Sequence, residues 1–302
     1  MNDGLNRREF LSSGAAGILA GIAGSAVCSD AAEPERRSLE GMIGITTGGL
    51  DYQRINRKLT AFTLPGFMRD ELGMQLIDFN TRWLESYDQS FIERVRAAAE
   101  QADCFFSNLK VNHKFGDLYS QDADERKLAM TNARQQVNVA KMLGARWIRF
   151  SVPKVGPDDD VKQVAAHREL ASFAGEHGIQ LLVENGGWLK SDPDSIVRVV
   201  KAIGHNVAAG PDTGNWDDDV RYEALTKSFP GAVTCDFKVF DLDADYRHKK
   251  YDIRCCFDIG WKAGFRGPWA IEHWNDDNKA YARETTWLRD QLTNWMAASR
   301  TQ

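Results

Sequence analysis

The chain has 302 residues, 43% of them hydrophobic, which is enough for a large core and excludes a disordered polymer. Its 38 Lys and Arg stand against 43 Asp and Glu, a formal net charge of -5 at pH 7. That balance excludes the basic character of a nucleic-acid binder or of a protein drawn to anionic membranes, and makes small molecules the expected partners.

At the N-terminus, NRREFLSSGAAGILAGIAGSAV sets Arg7 and Arg8 ahead of Phe10, Leu11 and a Gly/Ala/Ile run too short and too mild to span a membrane stably. Taken singly the arginines could be surface charges. Together the pattern resembles a twin-arginine export signal, which implies a leader over 1–32, cleavage after Ala26 or Ala31, and a folded protein delivered to a periplasmic or other extracytoplasmic location. Lipid anchoring at Cys28 is the alternative, with Val27 a poor context for it. Cys104, Cys235, Cys255 and Cys256 make neither a CxxC pair nor a disulfide framework and read as buried thiols.

Residues 40–298 read as one domain in which short apolar runs alternate with amphipathic segments. Strands are expected at 42–48, 74–80, 104–111, 147–152, 179–185, 206–212, 232–240 and 268–274. Helical patterns lie between them, several ending in a glycine that stops a helix, at Gly144, Gly178 and Gly204. Alternation of this kind argues for parallel strands joined by crossover helices, and eight such units fit a single (β/α)8 barrel of the α/β class. A doubly wound open sheet is the second option; no GxGxxG or GxxxxGK[ST] opens any βα turn to support its nucleotide-binding form.

In such a barrel chemistry sits at the C-terminal strand ends. LLVENGGW offers Glu184 there, GPDTGNW offers Asp212, TCDFKVF offers Asp236 and AIEHW offers Glu272. Each is about one βα unit from the next, so four carboxylates converge at one side of the mouth. Any one of them could cap a helix or pair with a Lys or Arg. Four together repel unless a cation neutralises them, and an oxygen-rich set without thiolates points to Mn²⁺ or Mg²⁺. Period-two alternation puts Asp236 and Lys238 on one face of their strand, and turns His273 away from Glu272 toward the helices.

VENGG, PDTGNW and IEHW, within 40–295, resemble the xylose isomerase-like TIM barrel superfamily of sugar isomerases and epimerases. The resemblance implies one divalent metal on Glu184, Asp212 and Glu272, with the two glutamates exchanging protons with substrate carbons. At the fourth ligand position the family's His-x-Lys is replaced by Asp236-Phe237-Lys238, which can still ligate but makes the shell all-oxygen, adds a negative charge and disfavours Zn²⁺. The implied reaction is isomerisation or epimerisation of a ketose or keto-sugar through an enediolate. Metal-assisted cleavage of an oxidised (keto) glycoside, or a non-catalytic sugar-binding barrel, stays open beside it.

Around the mouth, Trp188, Trp216 and Trp274 are expected to stack on a sugar, with Trp83 as a further aromatic near a strand end. Lys110, His113 and Lys238 are expected to hold substrate oxygens, and Arg149 to form an internal ion pair. The oligomeric state is not legible in the pattern, and nothing calls for stable membrane insertion of the mature domain.

Overall fold

All eight expected strands form, each shorter than its apolar run. The computed structural model describes residues 37–112, 116–153, 155 and 164–301. The expected leader and His113 lie outside the described residues. The strands are β1 Ile43–Thr46, β2 Leu76–Asn80, β3 Phe105–Lys110, β4 Trp147–Arg149, β5 Gln180–Val183, β6 Val207–Ala209, β7 Cys235–Val239 and β8 Trp269–His273. They pair in parallel in the order β6-β5-β4-β3-β2-β1-β8-β7.

The two outer strands of that order meet just past the end of β6. Parallel bridges join Ala209 to Ala232 and Asp212 to Asp236. Three backbone bonds hold this seam: Val233 N–H to Ala209 O at 3.1 Å, Asp236 N–H to Pro211 O at 2.9 Å and Thr213 N–H to Asp236 O at 2.9 Å. The result is an α/β TIM barrel, as the alternation of patterns predicts.

Among the described residues the helices are α1 Asp51–Asn56, α2 Leu64–Phe67, α3 Gln89–Gln101, α4 Ala123–Leu143, α5 Ala165–Glu176, α6 Ser195–Ile203, α7 Arg221–Ser228, α8 Ile253–Lys262 and α9 Asn278–Arg300. Local sequence explains their limits. Asp122, Asp252 and Asp277 each accept two backbone N–H groups at the start of α4, α8 and α9. The stop at Gly144 has φ +78°, a left-handed turn that ends α4. Helix α6 buries Ile196, Val199 and Ile203 at helical spacing.

Alternation along the strands divides the apolar residues into two shells. Ile77, Phe79, Leu109, Ile148, Leu181 and Phe237 join the large core against the helices. Leu39, Leu76, Trp147, Leu182 and Ala208 form a separate, smaller cluster. Leu76, Trp147 and Leu182 stand on the same faces as Asp78, Arg149 and Glu184, two residues further along. The smaller cluster is therefore an apolar floor inside the barrel, and the polar layer rests on it. Free Cys104, Cys235 and Cys256 are buried and Cys255 is partly so.

Candidate active site

Above that floor five carboxylates face three cations. Arg149, the last residue of β4, directs Nε to Glu184 Oε2 at 3.1 Å, the internal pair expected of it. Lys110, the last residue of β3, touches Asp236 Oδ2, with its Nζ 3.3 Å from Glu184 Oε2 and 3.9 Å from Asp78 Oδ1. Lys238 on β7 sets Nζ 2.8 Å from Asp212 Oδ2 and 3.3 Å from Glu272 Oε2. Each of these side chains is nearly buried. With every group ionised, the cluster carries two more negative than positive charges.

Backbone and amide contacts fix the positions. Asn185 ties β5 to the end of β6: its Oδ1 accepts Asp212 N–H at 2.7 Å and its Nδ2 donates to Asp212 O at 3.0 Å. Asn215 Nδ2 returns to Asn185 O at 2.9 Å. Asp212 Oδ1 accepts from the N–H groups of Gly214 and Asn215 at 2.7 and 3.0 Å, which turns Oδ2 toward Lys238. A methyl group on Gly214 would lie 2.6 Å from the Lys238 stem and 2.7 Å from Tyr251 OH, so only glycine leaves room for this lysine. Tyr251 in turn hydrogen-bonds Lys238 O.

Three carboxylates, Glu184, Asp212 and Asp236, each offer an oxygen within 4.8 Å of the others. Ligands at about 2.1 Å from Mg²⁺ stand about 4.2 Å apart when opposed, so small side-chain adjustments would seat a hard divalent ion. Its two charges would also cancel the excess of the cluster. The residues present therefore fit the cofactor in number, type and charge. Glu272 is not one of the three; it adjoins them through Lys238.

The environments of the two glutamates differ. Burial pushes Glu184 up, but Arg149, Lys110 and Lys238 outweigh it and hold its carboxyl at about 2. Burial raises Glu272 to about 7, only partly offset by Lys238 and reinforced by Asp212. Burial likewise pushes the Asp236 and Asp78 carboxyls up, with the Lys110 ammonium the main offset in each case. Burial works against the Lys110 ammonium, yet Asp236, Asp78 and Glu184 keep it charged.

A pH dependence of stability follows from Glu272. Its folded value near 7 lies above the ordinary 4.5, so the folded protein holds a proton that the unfolded chain releases between about pH 4.5 and 7. The chelator-stripped protein is expected to lose up to about 3 kcal/mol across that window as pH rises. Urea denaturation at several pH values measures it, and Glu272→Gln should flatten the profile. The Glu184 contribution has the opposite sense, lost only as pH falls toward 2.

Two depressions flank the carboxylates. One of about 290 Å³ is walled by Arg149, Glu184, Asn185 and Trp188. The other, of about 500 Å³, is lined by Tyr52, Gly214, Asn215, Lys238, Phe240 and Trp274. The Lys238 ammonium lies 5.2 Å from the centre of the Trp274 ring. Trp188 and Trp274 thus border the cluster as expected, and Trp216 does not. Asn215 and Asp217 are tied to Asn185 and Lys190 on either side of it, which draws the indole into the core, where only 2% of its surface is exposed. Trp83 is buried too and donates to Thr47 O at 3.3 Å. His273 points to α9, 2.7 Å from Glu284 Oε2, away from the cluster.

Sequence reasoning missed Asp78, which Asn108 of β3 holds by a 3.0 Å bond, because an acid in the middle of an apolar strand carries no strand-end signal. It also missed Asn185 as the clamp, although VENGG and PDTGNW hold both halves of that contact.

No curated protein matches the sequence. Among solved structures, D-psicose 3-epimerase with D-tagatose from Clostridium cellulolyticum H10 is 17% identical over 84% of this chain and 98% of its own, with a TM-score of 0.64. A xylose isomerase domain protein from Planctomyces limnophilus is 13% identical over 88% and 100%, with a TM-score of 0.62. A xylose isomerase-like TIM barrel protein from Mycobacterium smegmatis in complex with magnesium is 19% identical over 80% and 91%, with a TM-score of 0.56. At these identities the likeness is one of fold. A sequence-family model gives the closer assignment, because it spans residues 70–291 and so takes in every carboxylate of the cluster: the chain belongs to the xylose isomerase-like TIM barrel family.

Proposed function

We propose that the protein is a divalent-metal-dependent isomerase or epimerase of a ketose or keto-sugar, exported by the twin-arginine route. The observation that carries the reading is the pair of glutamates in opposed environments beside a carboxylate triad. Glu184, Asp212 and Asp236 would hold the ion, Mn²⁺ or Mg²⁺, with Glu272 alongside. When bound, the ion supplies electrophilic polarisation of the substrate's carbonyl and neighbouring hydroxyl.

The remaining work falls to side chains. Glu272, whose carboxyl burial raises to about 7 in the metal-free protein, is placed to take a proton from the carbon next to the carbonyl. Returning it to the adjacent carbon gives isomerisation. Return from the opposite face, through Glu184, gives epimerisation. Lys238, between Asp212 and Glu272, lies where an ammonium would stabilise an enediolate oxygen. Trp188 and Trp274 give apolar faces for the C–H side of the sugar. Carbohydrate as substrate agrees with the epimerase among the similar structures, at the level of fold.

The test is incubation of the Mn²⁺-loaded protein with a panel of unphosphorylated ketoses, keto-sugars and keto-glycosides in D₂O. Deuterium at the carbon next to the carbonyl, with isomer or epimer formation, is the expected result. A released aglycone would replace isomerisation by cleavage, and sugar binding with no exchange would leave a binding protein.

A further inference from the structure

Lys110 stands between two of the three carboxylates that would hold the ion. Its ammonium touches Asp236 Oδ2 and lies 3.3 Å from Glu184 Oε2, so it occupies part of the volume and supplies part of the charge that a divalent ion would bring. A cation left at that range would repel the ion strongly in a site so far out of water. Arg149 also faces Glu184, but from the β4 side and through a rigid planar group. Lysine differs in carrying a compact charge on a flexible stem.

A second seat is within reach of that stem. Asp78 Oδ1 is buried, 3.9 Å from Lys110 Nζ, and accepts no hydrogen bond. Its other oxygen, Oδ2, is already held by Asn108. A buried carboxylate oxygen without a donor is costly, and a small rotation of the lysine would satisfy it. Asp78 lies outside the triad, on β2, so a move toward it frees Asp236.

We propose that Lys110 is a tethered cation with two seats: on Asp236 when the site is empty of metal, and on Asp78 when a divalent ion takes Asp236. The inference rests on the metal reading of the triad and assigns that reading a price in affinity, set by the contact that must break and refunded in part by Asp78. It assigns Asp78 a positioning role at a site it does not touch.

Calorimetric titration of Mn²⁺ into chelator-stripped wild type, Lys110→Met and Asp78→Asn separates the cases. Lys110→Met is expected to bind at least tenfold more tightly, having no internal cation to displace. Asp78→Asn is expected to bind at least fivefold more weakly, because the displaced ammonium has lost its charged seat. Asp78→Asn keeps the shape of the residue and its reach to Asn108, so it guards against a Lys110→Met protein that fails to fold. Unchanged or weaker binding by Lys110→Met, or unchanged binding by Asp78→Asn, overturns the two-seat lysine while leaving the metal site intact. Absence of Mn²⁺ binding in both wild type and Lys110→Met overturns the metal reading itself.

Discussion

Glu272→Gln is expected to lower turnover by about 10²–10⁴-fold while leaving one Mn²⁺ site in place, and Asp212→Asn is expected to remove the site. The contrast follows from position. Asp212 is one of three carboxylates with oxygens within 4.8 Å of one another, whereas Glu272 reaches them only through Lys238 and is the glutamate whose carboxyl sits near 7. Asparagine at 212 retains an oxygen for the N–H groups of Gly214 and Asn215, so the turn survives and the charge alone is lost. Paired measurements suffice: Mn²⁺ calorimetry and the initial rate on whichever sugar exchanges deuterium. Full activity in Glu272→Gln would move the base elsewhere, and undiminished binding in Asp212→Asn would make the triad structural.

Arg149→Met is expected to cost about 3–5 kcal/mol of stability, the range for breaking a buried ion pair from one side. The guanidinium is the hydrogen-bonded neighbour that keeps Glu184 ionised beneath the mouth, and Lys110, shared with Asp236 and Asp78, cannot replace it alone. For a domain of this size the denaturation midpoint should fall by roughly 6–20 °C. Differential scanning of the metal-free proteins reads it out. A loss under about 1 kcal/mol would mean that water or Lys110 already satisfies Glu184.

The sequence carries the architecture in its period: eight apolar runs at βα intervals become eight parallel strands. It also carries Glu184, Asp212, Asp236 and Glu272, because acids at the ends of apolar strands contradict the local pattern. What stayed hidden is pairing across the barrel. Lys110 reads as a polar residue on an alternating strand, and nothing local says that its ammonium will meet Asp236, 126 residues away. Trp216 misled for the converse reason. Its place after a strand end resembles that of Trp188, and only the anchoring of Asn215 and Asp217 sends it inward. Strand lengths were overread because apolar residues such as Phe150 and Ile179 continue past the paired stretches and pack into the large core.

The seam between β6 and β7 gives the cluster a second significance. Asp212 and Asp236 are bridged to each other where the barrel closes, so two of the three carboxylates lie on the line along which the cylinder would part. That line is sewn by few backbone bonds compared with the β2–β3 ladder. An ion gripping both edges, as proposed, would then be a clasp as well as a chemical tool. Its loss would favour opening along this flank first, exposing the amides of Asp212, Thr213 and 232–236 to solvent exchange ahead of the rest of the wall. Chemistry and mechanical closure would share the same pair of side chains.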